Sequence, residues 1–305
     1  MDTEPVVLEL AGHPFEVTNP NKVFFTQRGD TKLDLVNFYR QVEGPIMAAM
    51  GGRPVLLQRF PNGASGKSFF QKRVPEKRPD WLATATVSTP NGTESEALVI
   101  EDIAHVIWAV NLGCLGFHVW PAKAADLDHA DELRIDLDPT PGVGFDQIRE
   151  AAHEVRAAAV ALARELERRR PDLLTAAWWK EERGERVFID YNQNAPHKTI
   201  FGAWSVRPRV GAQVSTPITW DEVAAVMPDE LTIATVPARV AERGDPWADM
   251  VDHLQSIESL LAWSERDMAA GLMDAPWPPV YPKQPNEPPR VAPSRAKKDP
   301  DQPTE

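Results

Sequence analysis

The segment Leu133-Arg134-Ile135-Asp136-Leu137-Asp138-Pro139 constrains this chain most tightly, because it sets two carboxylates one residue apart inside an apolar run. In a β-strand, residues i and i+2 share a face, so Asp136 and Asp138 would stand side by side while Ile135 and Leu137 turn to the core. Two acids held together without a counter-charge repel and raise each other's pKa, and a hard divalent cation such as Mg²⁺ or Mn²⁺ removes that repulsion. The same residues also suit a strand end entering an Asp-Pro turn. A second run, Arg186-Val187-Phe188-Ile189-Asp190-Tyr191, reads as a buried strand carrying one inward acid, which needs a partner. Three carboxylates from two strands suffice to hold two metals roughly 4 Å apart, clamping the attacking and leaving oxygens of a phosphoryl transfer.

No apolar run is long enough to cross a bilayer, so no membrane role is expected, and the 305 residues allow one large or two modest domains. Residues 1–5 have neither a basic region nor an apolar core, so no secretory signal is expected there. The single cysteine, Cys114, excludes an internal disulfide framework and suits a reducing cytoplasm; in its apolar context it reads as a packed thiol. A net charge of −12 argues against indiscriminate nucleic-acid binding. The distribution matters more than the total: Arg53, Arg59, Lys67, Lys72, Arg73, Lys77 and Arg78 face only Glu76 and Asp80 between residues 51 and 80. A positive patch on a negative body and a solvated loop both fit that pattern.

Periodicity and turn residues predict strands at 6–10, 54–59, 68–72, 97–100, 117–120, 176–179 and 187–190. They predict helices over 33–50, capped by Thr31 and closed at Gly51-Gly52, then 102–112, 146–170, 220–226 and 246–270. Residues 281–305 hold seven prolines and little to bury, so the end of the chain is expected to be disordered.

Read in order, Asn19-Pro-Asn-Lys22, Lys32, Gly52-Arg53-Pro54, Phe69-Phe70-Gln71-Lys72, His118-Val-Trp120, Asp136-Leu-Asp138-Pro, Asp190-Tyr-Asn-Gln193, Lys198, Ser205-Val-Arg207 and Ser215-Thr-Pro217 form a specific set of landmarks. The set resembles the polymerase domain of bacterial ATP-dependent DNA ligase D and its stand-alone relatives associated with ligase C, in the archaeo-eukaryotic primase superfamily. The likeness runs over residues 8–272. It implies that Asp136, Asp138 and Asp190 bind catalytic Mg²⁺ or Mn²⁺, and that His118, Gln193, Lys198, Arg207 and, more weakly, Arg183 surround the nucleoside triphosphate. On the DNA side it implies a 5′-phosphate pocket of Asn19, Lys22 and Lys32. Phe69 or Phe70 would stack on the template base, with strand alternation sending the other into the core, while Arg59 and Lys72 track the backbone.

The chain departs from the family at one place. Relatives carry Ser-Gly-x-x-x-His between the acid strands, on a strand flanked by helices, and that Ser and His grip the triphosphate. Between Asp138 and Asp190 this chain has no Ser, and its one His, His153, falls inside the helix expected over 146–170. Helix, strand and helix read as one helix, joined near 155–160.

The expectation is therefore an α+β primase-polymerase core, a mostly antiparallel sheet flanked by helices. Residues 1–274 would form the catalytic domain, with DNA-end binding in about 1–100 and catalysis in about 100–274, followed by a Pro-rich tail at 275–305. The expected activity is template-directed nucleotidyl transfer in DNA repair: gap filling and non-homologous end joining in the bacterial cytoplasm beside an ATP-dependent DNA ligase, with a ribonucleotide preference. Two alternatives stand beside it, a catalytically weak module that binds 5′-phosphorylated DNA ends and a two-metal nuclease.

Overall fold

The computed structural model describes residues 4–88, 94–127, 131, 132, 134, 136–139, 160–191, 198–252, 256 and 258–272, with the backbone alone at 136–139, 160 and 251. The residues group into two compact units that interleave along the chain, whereas the sequence reading divides it near residue 100. The first comprises Met1–Thr89, Thr93–Arg134 and Pro196–Gln255; the second draws its described residues from Ile135–Ala195 and Ser256–Glu305. The 1–274 boundary and the tail at 275–305 lie outside the described residues.

In the first unit, a hairpin of β1 (Val6–Leu10) and β2 (His13–Val17) and a small pair of β3 (Val23–Phe25) and β4 (Asp30–Thr31) lead into α1 (Lys32–Gln41). Thr31 caps α1 as expected, in a reciprocal box with Asp34. The helix expected over 33–50 is two: α1 stops at Val42, and α2 (Glu43–Met50) restarts with Pro45 in its first turn. Proline has no N–H to give the preceding turn, which is why the chain breaks there. The main sheet contains β5 (Pro54–Arg59), β6 (Phe69–Gln71), β7 (Thr84–Ser88), β8 (Glu94–Val99) and β9 (Cys114–Val119), with β13 (Ile200–Phe201) at one edge. Strand order is β13-β9-β5-β8-β7, every pairing antiparallel, and β6 adds to the far half of β5 beyond the end of β8. Sequence reasoning misses β2 and β7, whose alternation is only half apolar, and β3, β4 and β13, which at two or three residues are too short to show a period.

Helix α3 (Ile103–Asn111) is buried almost all round, which a helix apolar on every face requires. Asp102 caps it and also takes the Nδ1 of His105 at 2.8 Å, while Nε2 of that ring accepts the Ala83 N–H at 3.0 Å. Tyr39 of α1 packs edge-on against Phe117 of β9. Its hydroxyl donates to the Leu115 carbonyl (3.2 Å) and accepts from the Val206 N–H (3.1 Å), and full burial raises its pKa. Tyr39→Phe should therefore orphan two buried backbone groups and cost about 1–3 kcal/mol, read as a lower midpoint in denaturant. An unchanged midpoint would show that these bonds contribute nothing net. Arg53, the centre of the Gly-Arg-Pro landmark, is buried and holds Asp131 bidentately (2.6 and 2.8 Å) and Glu132 at 2.5 Å.

The second unit has a three-stranded sheet, β10 (Asp136–Pro139), β12 (Val187–Asp190) and β11 (Leu174–Thr175), in that order, with β11 parallel to β12. Its core is Leu162, Ala163, Leu166, Leu173, Leu174, Val187 and Ile189. The strand expected at 176–179 is the shorter β11 just before it. Of the helix expected over 146–170, α4 (Val160–Arg169) is described; the remainder, with His153, lies outside the described residues. The helices expected over 220–226 and 246–270 are reduced to short 3-10 turns at Trp220–Glu222 and Met250–Asp252 and to α6 (Glu258–Ala269), while α5 (Val236–Arg243) was not anticipated. A buried Asp267 lies 3.3 Å from Arg168 of α4 and 3.1 Å from its neighbour Arg266, fastening α6 to α4.

Candidate nucleotide and DNA-end sites

The acid strands are neighbours. The β10–β12 register sets Asp136 directly across from Asp190 and Asp138 across from Phe188. Opposed residues of an antiparallel pair share a face, and so do residues two apart, so all three acid positions belong to one face of this ladder. An all-carboxylate set suits a hard cation of the Mg²⁺ or Mn²⁺ type. Among the described side chains no group of three His, Cys, Asp or Glu residues is close enough to hold a metal, and the β10 side chains are not among those described. Phe188, opposite Asp138 and two residues from Asp190, belongs to that same face of the ladder, and buried Arg183 stacks on it with its guanidinium 3.4 Å from the ring centroid. It also donates to the carbonyls of Ala177 and Trp178, so its described contacts are internal to this unit.

In the first unit, β9 carries His118 opposite Phe201 of β13 and Leu56 of β5. The imidazole lies between two phenyl rings, Phe70 and Phe201, each with its centroid 5.2 Å away and nearly perpendicular. Its Nε2 is buried without a hydrogen-bond partner. Burial first, then the nearby Arg207, pushes the His118 pKa down to about 4, so the ring is neutral at physiological pH. Arg207 rests 3.8 Å over the Phe201 ring and donates from Nε and Nη2 to Ser215 Oγ (3.2 and 2.9 Å). Lys198, two residues before β13, is half-buried. Gln193 lies outside the described residues.

The Asn19-to-Lys32 region forms a third locus, also in the first unit. Asn19 adopts a left-handed backbone (φ 50°), and the Lys22 ammonium donates to the Pro61 carbonyl. Lys32 is only 4% exposed and gives its protons to Thr18 O (2.6 Å), Asn111 O (3.0 Å) and Asn111 Oδ1 (3.3 Å). Burial, with Lys22 adding repulsion, lowers its pKa to about 8. Asn111, which no motif marks, is the hub: its Oδ1 also accepts from the Thr18 N–H and hydroxyl, and its Nδ2 donates to Glu16 O.

The aromatic pair corrects the sequence reading. One phenylalanine was expected in the core, yet Phe69 is 46% and Phe70 52% exposed. Strand β6 is a three-residue edge strand, too short to be covered on either face, so alternation sends both rings to solvent-facing sites. Arg59 lies over Phe69 at 5.2 Å and is itself tied to Leu112 O and Gln71 Oε1, while Lys72 is exposed.

A family model for the LigD primase-polymerase domain matches residues 31–158 and 153–247. The chain belongs to that family, one of metal-dependent nucleotidyltransferases of DNA repair. Among known relatives, the multifunctional non-homologous end joining protein LigD of Mycolicibacterium smegmatis is 29% identical over 91% of this chain and 42% of its own length. The bifunctional LigD of Bacillus subtilis is 27% identical over 78% of this chain and 44% of its own. This chain thus spans less than half the length of these relatives. The solved polymerase domain of Mycobacterium tuberculosis ligase D in complex with DNA superposes with a TM-score of 0.70 at 27% identity, covering 76% of this chain and 96% of that one. The mixed helix and antiparallel-sheet fold is that of the family.

The matches also bear on the departure noted in the sequence. The two matched stretches overlap at 153–158, partly coinciding with the junction expected near 155–160. The alignment with the Mycolicibacterium protein runs over 324 residues while drawing on 91% of the 305 here, about 278, so about 46 aligned positions have no residue of this chain.

Proposed function

We propose that this chain performs template-directed nucleotidyl transfer at gaps and broken DNA ends, preferring ribonucleotides, with triphosphate binding weakened by the absent Ser-Gly-x-x-x-His segment. The observation that carries this reading is the register setting Asp136 across from Asp190 in a chain of this family. Asp136, Asp138 and Asp190 would hold Mg²⁺ or Mn²⁺, which when bound stabilises charge on the transferring phosphoryl group. His118, kept neutral by burial, has a buried Nε2 able to pair with a phosphate oxygen or sugar hydroxyl. Arg207 and Lys198 offset triphosphate charge, and Gln193 has an amide able to hydrogen-bond a phosphate oxygen. Arg183, stacked on Phe188 of the acid face, is the weaker candidate of the same kind.

The DNA end is read by Asn19, Lys22 and Lys32, the template base stacks on Phe69 or Phe70, and Arg59 and Lys72 lie along the backbone. Partners are 5′-phosphorylated DNA, nucleoside triphosphates and an ATP-dependent ligase, in the bacterial cytoplasm; among the described residues no helix is long and apolar enough to cross a membrane. Lys22→Ala with Lys32→Ala should erase the preference for 5′-phosphate over 5′-hydroxyl ends, worth about 1–3 kcal/mol, in competition binding. Lys32 is charged below its pKa of about 8 and neutral above it, so that preference should fall as pH rises from 7 to 9. A pH-independent preference would remove Lys32 from the pocket.

The whole reading is tested on a gapped duplex with a 5′-phosphate, Mn²⁺ and each ribonucleotide supplied singly. Addition of only the template-complementary nucleotide is expected. Primer shortening would favour the nuclease, and binding without addition the end-binding module.

A further inference from the structure

We infer that Phe201 is a positioning residue for the triphosphate site, a single ring that sets both His118 and Arg207. This rests on the proposed nucleotide role of those two residues. Phe201 stands directly across from His118 in the β13–β9 register, and the perpendicular ring contact at 5.2 Å fixes the tilt of the imidazole. The Arg207 guanidinium lies 3.8 Å over the same ring, close enough for a cation–π contact, and donates to Ser215 Oγ. One phenyl group therefore determines the spacing between a neutral imidazole with an unpartnered, buried Nε2 and a permanent cation.

The backbone is shaped to seat that ring. Gly116 precedes His118 by two residues on the same strand face, and a Cβ there would fall 2.7 Å from Phe201 Cε2 and 2.9 Å from Gln58 Oε1. Any side chain at 116 would push the ring off the strand. Phe70 closes the far side of the imidazole, so removing Phe201 frees His118 on one flank only and leaves Arg207 with its Ser215 contact. The expected loss is therefore of order and spacing rather than of the groups themselves.

The test is a double-mutant cycle read by calorimetric binding of ATP with Mg²⁺ to the full 305-residue chain. Phe201→Leu, close in volume but without a π face, should weaken ATP binding about tenfold. In a background carrying His118→Ala and Arg207→Ala, the same change should alter binding by less than about twofold. Phe201→Tyr, which keeps the ring, should stay within about threefold of the unaltered chain, and thermal melting checks that each variant is folded. Equal losses in both backgrounds, or failure of Tyr to rescue where Leu weakens, would overturn the positioning role. If Phe201→Leu binds normally while His118→Ala and Arg207→Ala bind poorly, the inference fails and the nucleotide site stands. If those two changes leave binding intact, the proposed site itself falls, and the inference with it.

Discussion

Asp136→Ala combined with Asp138→Ala is expected to abolish primer extension while leaving affinity for gapped, 5′-phosphorylated DNA within a few-fold. The two positions share a strand face with Asp190, which stands across from Asp136, so removing both leaves one carboxylate where a metal needs several oxygens. Metal stabilisation of a transferring phosphoryl group is worth several kcal/mol, which puts the rate loss on the order of a thousandfold or more. Stability should not fall in parallel, because two acids of like charge leave the ladder and their mutual repulsion goes with them. Full extension by the double variant in Mn²⁺ would remove these acids from the chemistry. A loss of end binding equal to the loss of extension would point to misfolding of the β10–β12 ladder instead.

The second large effect concerns the Ser-Gly-x-x-x-His segment that the family resemblance implies and that this sequence does not contain between Asp138 and Asp190. Losing two or three hydrogen bonds to a charged triphosphate, at about 1.5–3 kcal/mol each, lowers affinity by roughly two or more orders of magnitude. Grafting a relative's helix-strand-helix at residues 153–158, where the two family-matched stretches overlap, should recover that affinity and raise extension at micromolar nucleotide about a hundredfold or more. End binding, which draws on Lys22 and Lys32, should be unmoved by the graft. A folded graft with unchanged nucleotide affinity would show that His118, Lys198 and Arg207 already supply the site.

How far the sequence could be read depended on the kind of signal. The acid strands were legible because carboxylates spaced i and i+2 in an apolar run, joined by a second apolar run with one acid, fit two strands sharing a site, and β10 and β12 do pair. The cap at Thr31, strand β5 and helix α3 were legible for local reasons of capping and periodicity. What escaped depends on partners distant in sequence. Whether Phe69 or Phe70 is buried is decided by how far β5 extends beyond β8, which no local alternation reports. Asn111 and Tyr39 work through contacts 76–167 residues away along the chain, and Phe201 meets His118 from far along it, with only a polar residue ending an apolar helix hinting at the first. Arg183, the weaker candidate that the resemblance implies, has its guanidinium on backbone carbonyls and a ring, contacts that no motif reports.

The central claim, a metal-dependent nucleotidyltransferase whose grip on the triphosphate is weakened, is tested most directly by the nucleotide dependence of extension. The unaltered chain would be given a gapped 5′-phosphorylated duplex, Mn²⁺ and the complementary ribonucleotide over a range from micromolar to millimolar. Templated single-nucleotide addition is expected, its rate rising in proportion to nucleotide through the micromolar range and saturating only at millimolar concentrations. Saturation at low micromolar nucleotide, or no templated addition at any concentration, would contradict the claim.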